Sequence, residues 1–276
     1  MNLPELKERI RILKANGVTG AAIKVLENQL VELTINSGIK KLISSTPKLS
    51  TDQWLQRFIT ADLAMLKIKE TVRKLAPYNK SVLILGPTGV GKELIAQALH
   101  GDRTGQFVDI NCAGLPVNLA EHELFGSVRG AFTGSDKDKQ GLFAAANDGT
   151  VFLDEVGELA PEIQAKLLRA IENGVIRRVG SNVNEEISCR FVAATKQPLE
   201  GFVKEKRFRE DLYWRLAKFT LKLTSLTERL PDAALIAAHY FKKEFPLLHK
   251  INLEGNVRAI LAAIDSYNIL GPESLT

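Results

Sequence analysis

Residues 82–92 have the sequence VLILGPTGVGK, and this stretch decides the fold. Its four apolar residues predict a short buried strand, and the residues after Lys92 predict a helix. Between a strand and a helix, the pattern G-x-x-x-x-G-K lets glycines turn backbone N–H groups around phosphates, while the helix N-terminus and the lysine add positive charge. The stretch therefore predicts a phosphate-binding loop. Its candidate cofactor-binding residues are Gly86, Pro87, Thr88, Gly89, Val90, Gly91, Lys92 and Glu93.

A second motif supplies the acids that such a loop requires. Glu93 occupies the position where the motif usually has a Ser or Thr for Mg²⁺, so the metal must rely on another carboxylate. Residues 150–155, TVFLDE, predict an apolar strand that carries two acids to the edge of the sheet where ligands bind. We predict that Asp154 binds Mg²⁺ and that Glu155 orients or deprotonates the attacking water. The alternative is a buried strand that ends in a solvated acidic turn.

Short apolar runs alternate with helical segments in the middle of the chain, which predicts a parallel sheet covered by helices on both faces. The predicted strands are 82–85, 107–110, 151–153, 191–194 and 219–223. Helices are predicted at 53–76, 233–243 and 256–266. We therefore predict three parts: an N-terminal helical segment at 1–48, an α/β nucleotide-binding domain at 53–224 and a helical lid at 225–276.

Composition sets wider bounds on the function. The chain has 276 residues, of which 45% are hydrophobic, so it is long enough to bury a full core. The net charge of +5 is spread along the sequence and gives little support for direct DNA binding. Because there is no apolar run of eighteen residues and no leader-like start, we expect a cytoplasmic protein without membrane contact.

From about Phe58 onward, the sequence resembles the AAA+ domain of sigma-54-dependent transcriptional activators, the bacterial enhancer-binding proteins. Residues 130–135, GAFTGS, resemble the family's G-A-F-T-G-A loop, and ELFG precedes them at 123–126. The resemblance implies an AAA+ ATPase that uses ATP and Mg²⁺, assembles into a ring, expected to be a hexamer, and contacts sigma-54 RNA polymerase. The implied contact residues are Gly130, Ala131, Phe132, Thr133 and Gly134. The alternative is a glycine-rich turn with its phenylalanine folded inward.

Two further segments carry the resemblance. Residues 208–216, FREDLYWRL, resemble the family's F-R-x-D-L-Y-Y-R-L helix, which implies that Arg209 and Arg215 reach the ATP of a neighbouring subunit. The alternative is two surface arginines paired with Glu210 and Asp211. Residues 177–181, RRVGS, resemble a second surface loop that supports the first one, although a solvated basic turn explains them equally well.

The resemblance also assigns roles near the acids, and here the chain departs from the family. Asn111 matches the asparagine that hydrogen-bonds the catalytic glutamate, which is Glu155 in this chain. The alternative is an asparagine that only forms the turn after a strand. The family has a first-sensor asparagine where this chain has Lys196, a side chain that accepts no hydrogen bond. Thr195 remains available for part of that role. The lysine therefore brings hydrolysis, or its coupling to movement, into question.

A second departure concerns the end of the chain. Residues 255–258, GNVR, spell the family's second-sensor motif, which would make Arg258 a phosphate contact. Counting from Glu228 instead aligns 267–271 with the family's Y-x-W-P-G stretch and puts Ser274 in the place of the sensor arginine. On that count the match at 255–258 is accidental, Arg258 is an ordinary helix-start residue, and the lid is truncated or altered.

These observations leave three functions open. The leading prediction is a ring-forming ATPase that remodels sigma-54 RNA polymerase. The second is a degenerate module that binds nucleotide and assembles but hydrolyses weakly, because of Lys196 and the missing sensor arginine. The third is an AAA+ remodeller of another client. The family's DNA-binding helix-turn-helix is not in the sequence, so we expect DNA contact only through another domain or partner.

Overall fold

The computed structural model describes residues 48–113, 116–131, 136–241, 245 and 248–271. Most of the predicted N-terminal helical segment, residues 1–47, lies outside these ranges, as do the loop tip at 132–135 and the last residues, 272–276. Within the ranges, no helix has both the length and the apolar character needed to cross a membrane.

A parallel sheet forms the centre of the molecule. The strands in chain order are β1 Val82–Leu85, β2 Phe107–Asn111, β3 Gly126–Ser127, β4 Lys139–Gln140, β5 Thr150–Asp154, β6 Val175–Ile176, β7 Glu185–Glu186, β8 Arg190–Thr195 and β9 Thr220–Lys222. Five of them form the sheet in the order β2-β5-β8-β1-β9, and every neighbouring pair is parallel. The pairs β3-β4 and β6-β7 are antiparallel. The predicted parallel sheet is thus confirmed, and the carboxyl ends of its strands meet at one edge.

Helices cover both faces of the sheet, and the last two helices form the lid instead. They are α1 Thr51–Arg57, α2 Leu63–Leu75, α3 Lys92–His100, α4 Val117–Phe125, α5 Leu142–Ala145, α6 Pro161–Asn173, α7 Leu199–Lys204, α8 Glu210–Leu216, α9 Leu230–Phe241 and α10 Asn256–Leu270. Successive residues of a strand enter opposite cores: Val151 and Leu153 pack on one face of the sheet, and Phe152 packs on the other. This explains why the strands are continuous apolar runs rather than alternating ones.

The lid that follows β9 is helical, as predicted. Helices α9 and α10 enclose a small apolar core of their own, which includes Ile236, Ile260 and Ile264. The edge-to-face contacts of Tyr267 with Phe241 and Phe245 extend this core. In the stretch aligned by counting with Y-x-W-P-G, residues 267–270 are the last turn of α10 and Gly271 is its C-cap.

The single helix predicted at 53–76 is wrong, because the chain leaves the helical conformation between α1 and α2. Asp62 caps α2 by accepting a hydrogen bond from the Met65 N–H at 2.9 Å. Just before it, Thr60 and Ala61 donate hydrogen bonds to Asp232 of the lid. Helical periodicity runs through this segment, but a tertiary contact some 170 positions along the chain holds it extended.

Candidate functional site

A cleft of about 350 Å³ lies at the carboxyl edge of the sheet, between the sheet and the lid. We call one part of it the phosphate end, lined by residues 88–93, Asn111, Asp154, Glu155 and Arg258. The other part, the lid end, is lined by Arg57, Phe58, Ile59, Arg229, Ile236, Tyr240, Val257 and Leu261. The phosphate end is polar and charged, and the lid end is mostly apolar. One cleft thus offers two chemically different subsites.

The predicted phosphate loop has the conformation that its glycines allow. Gly89 and Gly91 have φ angles of 75° and 103°, in the left-handed region that favours glycine. The Lys92 ammonium is largely buried and donates hydrogen bonds to the Gly86 and Pro87 carbonyls at 3.0 and 3.2 Å. Burial lowers the pKa of Lys92, while the nearby carboxylates oppose that shift. The loop and its lysine therefore line the phosphate end as one compact unit.

The two acids of the second motif reach the same place. Asp154 ends β5, and its carboxylate accepts the Glu155 N–H at 3.0 Å. Burial raises the pKa of Asp154, and the Lys92 charge acts in the opposite direction. Glu155 has a φ of 51°, a left-handed conformation that costs a residue with a side chain about 1–3 kcal/mol. Backbone strain of this kind concentrates at functional positions, and here it falls on the candidate general base.

The residues present fit a magnesium ion that is shared with a nucleotide. Mg²⁺ is usually held by one or two carboxylates together with substrate phosphates and water. Asp154 offers such a carboxylate at the phosphate end, close enough to Lys92 for each to shift the other's pKa. Across the described part of the chain, no three His, Cys, Asp or Glu residues form a protein-only metal cluster.

Two candidate catalytic residues make other contacts than predicted. The Asn111 side chain accepts the Ala113 N–H at 2.9 Å, and no Asn111–Glu155 hydrogen bond is formed. Glu155 accepts the Lys196 N–H instead, at 3.3 Å. The buried Thr195 hydroxyl forms hydrogen bonds with the Gln197 backbone. Asn111 does line the cleft with Glu155, so its proposed role needs a side-chain rotation, and the sensor role of Thr195 stays a prediction.

Residues 255–258, which the count from Glu228 treats as an accidental match, lie at the cleft. The start of α10 docks on the phosphate loop: Val257 donates its N–H to the Gly89 carbonyl, and the Asn256 side chain donates to the Thr88 carbonyl, both at 3.0 Å. Arg258 follows directly and lines the phosphate end. The count from Glu228 could not show this position, because a residue count does not reveal which residues dock on the phosphate loop. Arg258 therefore lies where a second-sensor arginine could contact a phosphate, and that role stays a prediction.

Arg209, which precedes α8, and Arg215, which lies within it, are away from this cleft. Arg209 pairs with Asp211 through two hydrogen bonds of 3.0 and 2.7 Å, and Arg215 pairs with Glu172 at 2.7 Å. Both guanidinium groups are about half exposed. The predicted alternative of surface ion pairs holds for Asp211, while Glu172 takes the place of Glu210. Neither arginine lines the cleft of its own chain.

The candidate partner loop stands on a short stalk made of β3 and β4. Of its residues, Gly130 and Ala131 are described, whereas Phe132, Thr133 and Gly134 are outside the described ranges. The stalk is joined to the basic turn at 177–181: Val128 donates to the Val179 carbonyl at 3.0 Å, and Val179 donates to Gly126 at 2.8 Å. A Cβ built on Gly130 would meet nothing within 4 Å, so the backbone there is open to solvent.

Sequence reasoning missed the lid end entirely. The break at 58–62 had no local signal except Asp62, a good helix-capping residue. Nothing in the local sequence indicates that the side chains of Arg229 and Asp232 are buried. Only the GNVR motif could have revealed that the lid reaches the phosphate loop, and the residue count set it aside.

The fold and the cleft define a class. A phosphate loop after a central strand of a parallel sheet, with a helical lid docked on that loop, is the AAA+ P-loop architecture. NtrX from Brucella abortus, solved in complex with ADP, superposes with a TM-score of 0.69 and 28% identity, covering 90% of this chain and 55% of NtrX. Hsp104 superposes with a TM-score of 0.58 at 16% identity over 88% of this chain and 48% of its own, which supports the fold alone.

The chain belongs to the family described as the Sigma-54 interaction domain, which it matches over residues 58–222, more than half of its length. Relatives include the transcriptional regulator VasH of Vibrio cholerae serotype O1, 44% identical across 71% of this chain and 38% of VasH. The regulatory protein AtoC of Escherichia coli K12 is 42% identical, across 76% and 46%. The transcriptional regulatory protein GlrR of the same strain is 37% identical, across 82% and 51%. The chain spans about half or less of these proteins.

Proposed function

We propose that the chain hydrolyses ATP to ADP and phosphate and uses the cycle to remodel sigma-54 RNA polymerase, so that transcription starts. The observation that carries the ATPase proposal is the convergence of buried Lys92, Asp154 and a left-handed Glu155 on one cleft. Family membership supports it, as do the structures of the relative NtrX in complex with ADP and with ATP.

The residues that line the cleft have different proposed roles in ATP hydrolysis. The N–H groups of the phosphate loop, the Lys92 ammonium and the Arg258 guanidinium bind the phosphates and offset their charge. Asp154 would hold Mg²⁺, which would supply positive charge to stabilise the transferring phosphoryl group. Glu155 orients a water molecule toward the terminal phosphorus and accepts its proton. The new P–O bond forms as the bond to the ADP oxygen breaks.

Replacing Glu155 tests the hydrolysis proposal. Glu155→Gln keeps the shape of the side chain but removes the base, so turnover should fall by about 10²–10⁴-fold while ATP still binds. Glu158→Gln is a matched control, because Glu158 is exposed and does not line the cleft. Steady-state hydrolysis and equilibrium nucleotide binding provide the two readouts. Unchanged turnover in Glu155→Gln would remove this residue from the proposed mechanism.

Assembly into a ring is proposed because the α8 arginines cannot serve their own cleft. In a ring, Arg209 and Arg215 of one subunit would reach the nucleotide of the next, where a related arginine is worth about 10³–10⁵ in rate. Glu155→Gln and Arg215→Ala should each be nearly inactive alone. Mixing them should restore hydrolysis, because a Glu155→Gln subunit lends its Arg215 to an intact neighbouring cleft. Additive, unrestored rates would contradict action between subunits.

Contact with sigma-54 through residues 130–134 is proposed from the family and from the exposure of Arg129 and Gly130, which lead into this segment. Capture of purified sigma-54 in the presence of ADP and aluminium fluoride is the direct test. Phe132→Ala should abolish capture and leave basal ATP hydrolysis intact, and Val183→Ala, at an exposed position outside this loop, is the matched control. Failure of the unaltered chain to capture sigma-54 while it hydrolyses ATP would favour another client.

Lys196 keeps a second candidate function open, that of a weakly hydrolysing assembly module. Its backbone N–H binds the candidate base Glu155, and its charge acts on Lys92. The dependence of the ATPase rate on protein concentration separates the two functions. A specific ATPase activity that rises with protein concentration supports an ATPase that is active when assembled. A low activity that does not depend on concentration supports the weakly hydrolysing module.

A further inference from the structure

One buried side chain at the start of α10 joins the phosphate loop to the lid. Asn256 is only 1% exposed. Its Nδ2 group donates hydrogen bonds to the Thr88 carbonyl at 3.0 Å and to the Glu254 carbonyl at 3.3 Å. Its Oδ1 atom accepts the Leu226 N–H at 2.7 Å and the Ser225 hydroxyl at 3.0 Å. The amide therefore uses both of its donors and both of its acceptor positions.

The backbone of Asn256 adopts a conformation that suits glycine better than asparagine. Its φ and ψ angles are 54° and −133°, close to those of the first central residue of a type II′ turn, where glycine is preferred. A residue with a side chain is strained in such a conformation. Glycine would relieve this strain but would lose the amide. The backbone conformation therefore does not explain why the residue is an asparagine, whereas the contacts of the amide do.

The hydrogen bonds of the amide join three segments of the chain. Thr88 lies in the phosphate loop, 168 positions from Asn256. Ser225 and Leu226 follow β9 at the entry to the lid, 31 and 30 positions away. Glu254 belongs to the short turn that leads into α10. The Asn256 amide therefore fixes where α10 begins relative to the loop that is proposed to bind the phosphates.

The lid has a second attachment, and this one does not involve the phosphate loop. The buried Asp232 carboxylate pairs with the Arg229 guanidinium at 2.8 Å and accepts the Ala61 N–H at 2.7 Å. Because this attachment is separate, we expect the lid to stay docked when Asn256 is changed. The specific effect of Asn256 should then fall on the first turn of α10 and not on the lid as a whole.

That first turn carries Arg258, two residues after Asn256. The stem of Arg258 packs on the phosphate loop, because a Cβ built on Gly89 would lie 3.2 Å from its Cγ atom. The Arg258 charge acts to lower the pKa of Lys92 and that of Asp154, so the guanidinium is near both groups at the phosphate end. A shift of the first turn of α10 would therefore move the guanidinium away from the place where phosphates are proposed to bind.

We propose that Asn256 is a positioning residue for nucleotide binding, which holds Arg258 at the phosphates by tying the first turn of α10 to the Thr88 carbonyl. This inference rests on the proposed function, which places the Arg258 guanidinium on the phosphates. Asn256 itself does not line the cleft, so it acts through Arg258. The rival explanation is that the amide only stabilises the lid, in which case its loss and the loss of Arg258 would act independently.

The test is a double-mutant cycle on equilibrium ATP binding with Asn256→Gly and Arg258→Gln. Glycine suits the backbone angles at position 256, so this substitution removes only the amide. We expect each single substitution to weaken ATP binding by about tenfold, as for loss of a hydrogen bond to a charged group. The double variant should also lose only about tenfold, because the first change already breaks the interaction that the second removes.

Ile264→Val is the matched control, because Ile264 lies in the apolar core of the lid. It should lower stability, measured by chemical denaturation, and its effect on ATP binding should combine with that of Arg258→Gln as independent factors. A loss of about a hundredfold in the Asn256→Gly, Arg258→Gln variant would be the product of two independent effects and would overturn the inference. Unchanged ATP affinity in Asn256→Gly would overturn it as well.

A second variant covers the case in which Asn256→Gly does not fold. Asn256→Asp keeps an acceptor for Ser225 and Leu226 but lacks the donor to Thr88, and it enters the same cycle with the same expected result. If ATP binds the unaltered chain and Arg258→Gln has no effect, the positioning role is overturned while ATP binding stands. If ATP does not bind the unaltered chain, the proposed function fails and this inference falls with it.

Discussion

The two ends of the cleft are built in different ways. The phosphate end comes from short continuous stretches, a strand followed by its loop and a strand followed by two acids, and left-handed backbone at Gly89, Gly91 and Glu155 shapes it. The lid end is assembled from pieces distant in sequence, such as Thr60 and Asp232, which a hydrogen bond joins. The phosphate end therefore depends on local backbone conformation, whereas the lid end depends on contacts between elements that are distant in sequence.

The ends nevertheless depend on each other, because they touch at the glycines of the loop. A Cβ at Gly91 would lie 2.9 Å from the Phe58 ring, and a Cβ at Gly89 would lie 2.5 Å from the Gly255 carbonyl oxygen. The first contact joins the loop to the extended segment, and the second joins it to the lid. Substitutions that act on one end only should therefore be rarer than those that act on both.

The largest expected effect is on stability, at the lid end. Asp232→Asn removes the charge that balances buried Arg229 and should lower the free energy of unfolding by about 3–5 kcal/mol, measured by chemical denaturation. Asp52→Asn is the control, since its pair with Arg73 is exposed and should be worth about 1 kcal/mol or less. Equal losses in the two variants would mean that the lid end is not held by this carboxylate.

The Asp232 carboxylate should also make the free energy of unfolding depend on pH in the acid range. Burial alone would raise the pKa of Asp232, but hydrogen bonds from Thr60, Ala61 and Arg229 outweigh burial and lower it. Its contribution is therefore complete above the ordinary pKa of an aspartate and is lost as the pH falls through the lowered value. In Asp232→Asn this part of the acid dependence should be absent.

An intermediate effect is expected where the two ends meet. Gly89→Ala places a side chain in left-handed backbone, at about 1–2 kcal/mol, and against the Gly255 carbonyl. Affinity for ATP should fall by about tenfold or more, measured by equilibrium binding. Gly201→Ala is the matched control, because a Cβ there meets nothing within 4 Å and the residue lies in α7. Wild-type affinity in Gly89→Ala would show that loop and lid do not need this contact.

The smallest effect is expected at the phosphate end itself, from Lys196. Lys196→Asn removes an exposed charge near Lys92 and leaves the backbone N–H that binds Glu155, so we expect turnover to rise by a few-fold with little change in ATP affinity. Steady-state rates at saturating ATP measure the change. A fall in turnover would show instead that the lysine has a positive part in hydrolysis.

The success of prediction from the sequence differs in the same way between locally encoded features and features that depend on distant contacts. The five strands, the phosphate loop and the two acids were predictable because each is a local pattern with its own chemistry. The break at Phe58, the pairing of Arg229 with Asp232 and the docking of Arg258 were not, because they depend on contacts between distant segments. The position of Arg258 in the cleft could not be decided by a residue count, because only three-dimensional docking shows which residue reaches the cleft.

The backbone hydrogen bonds between the partner-loop stalk and the basic turn at 177–181 lead to a prediction about suppressor mutations. Val128 and Val179 are far apart in sequence, yet backbone hydrogen bonds join their segments. We therefore expect the two segments to move together. A defect in the stalk can then be compensated from the turn without any change in the stalk itself. A search for second-site suppressors of stalk mutations should return substitutions in this turn, and such suppressors should leave nucleotide binding untouched.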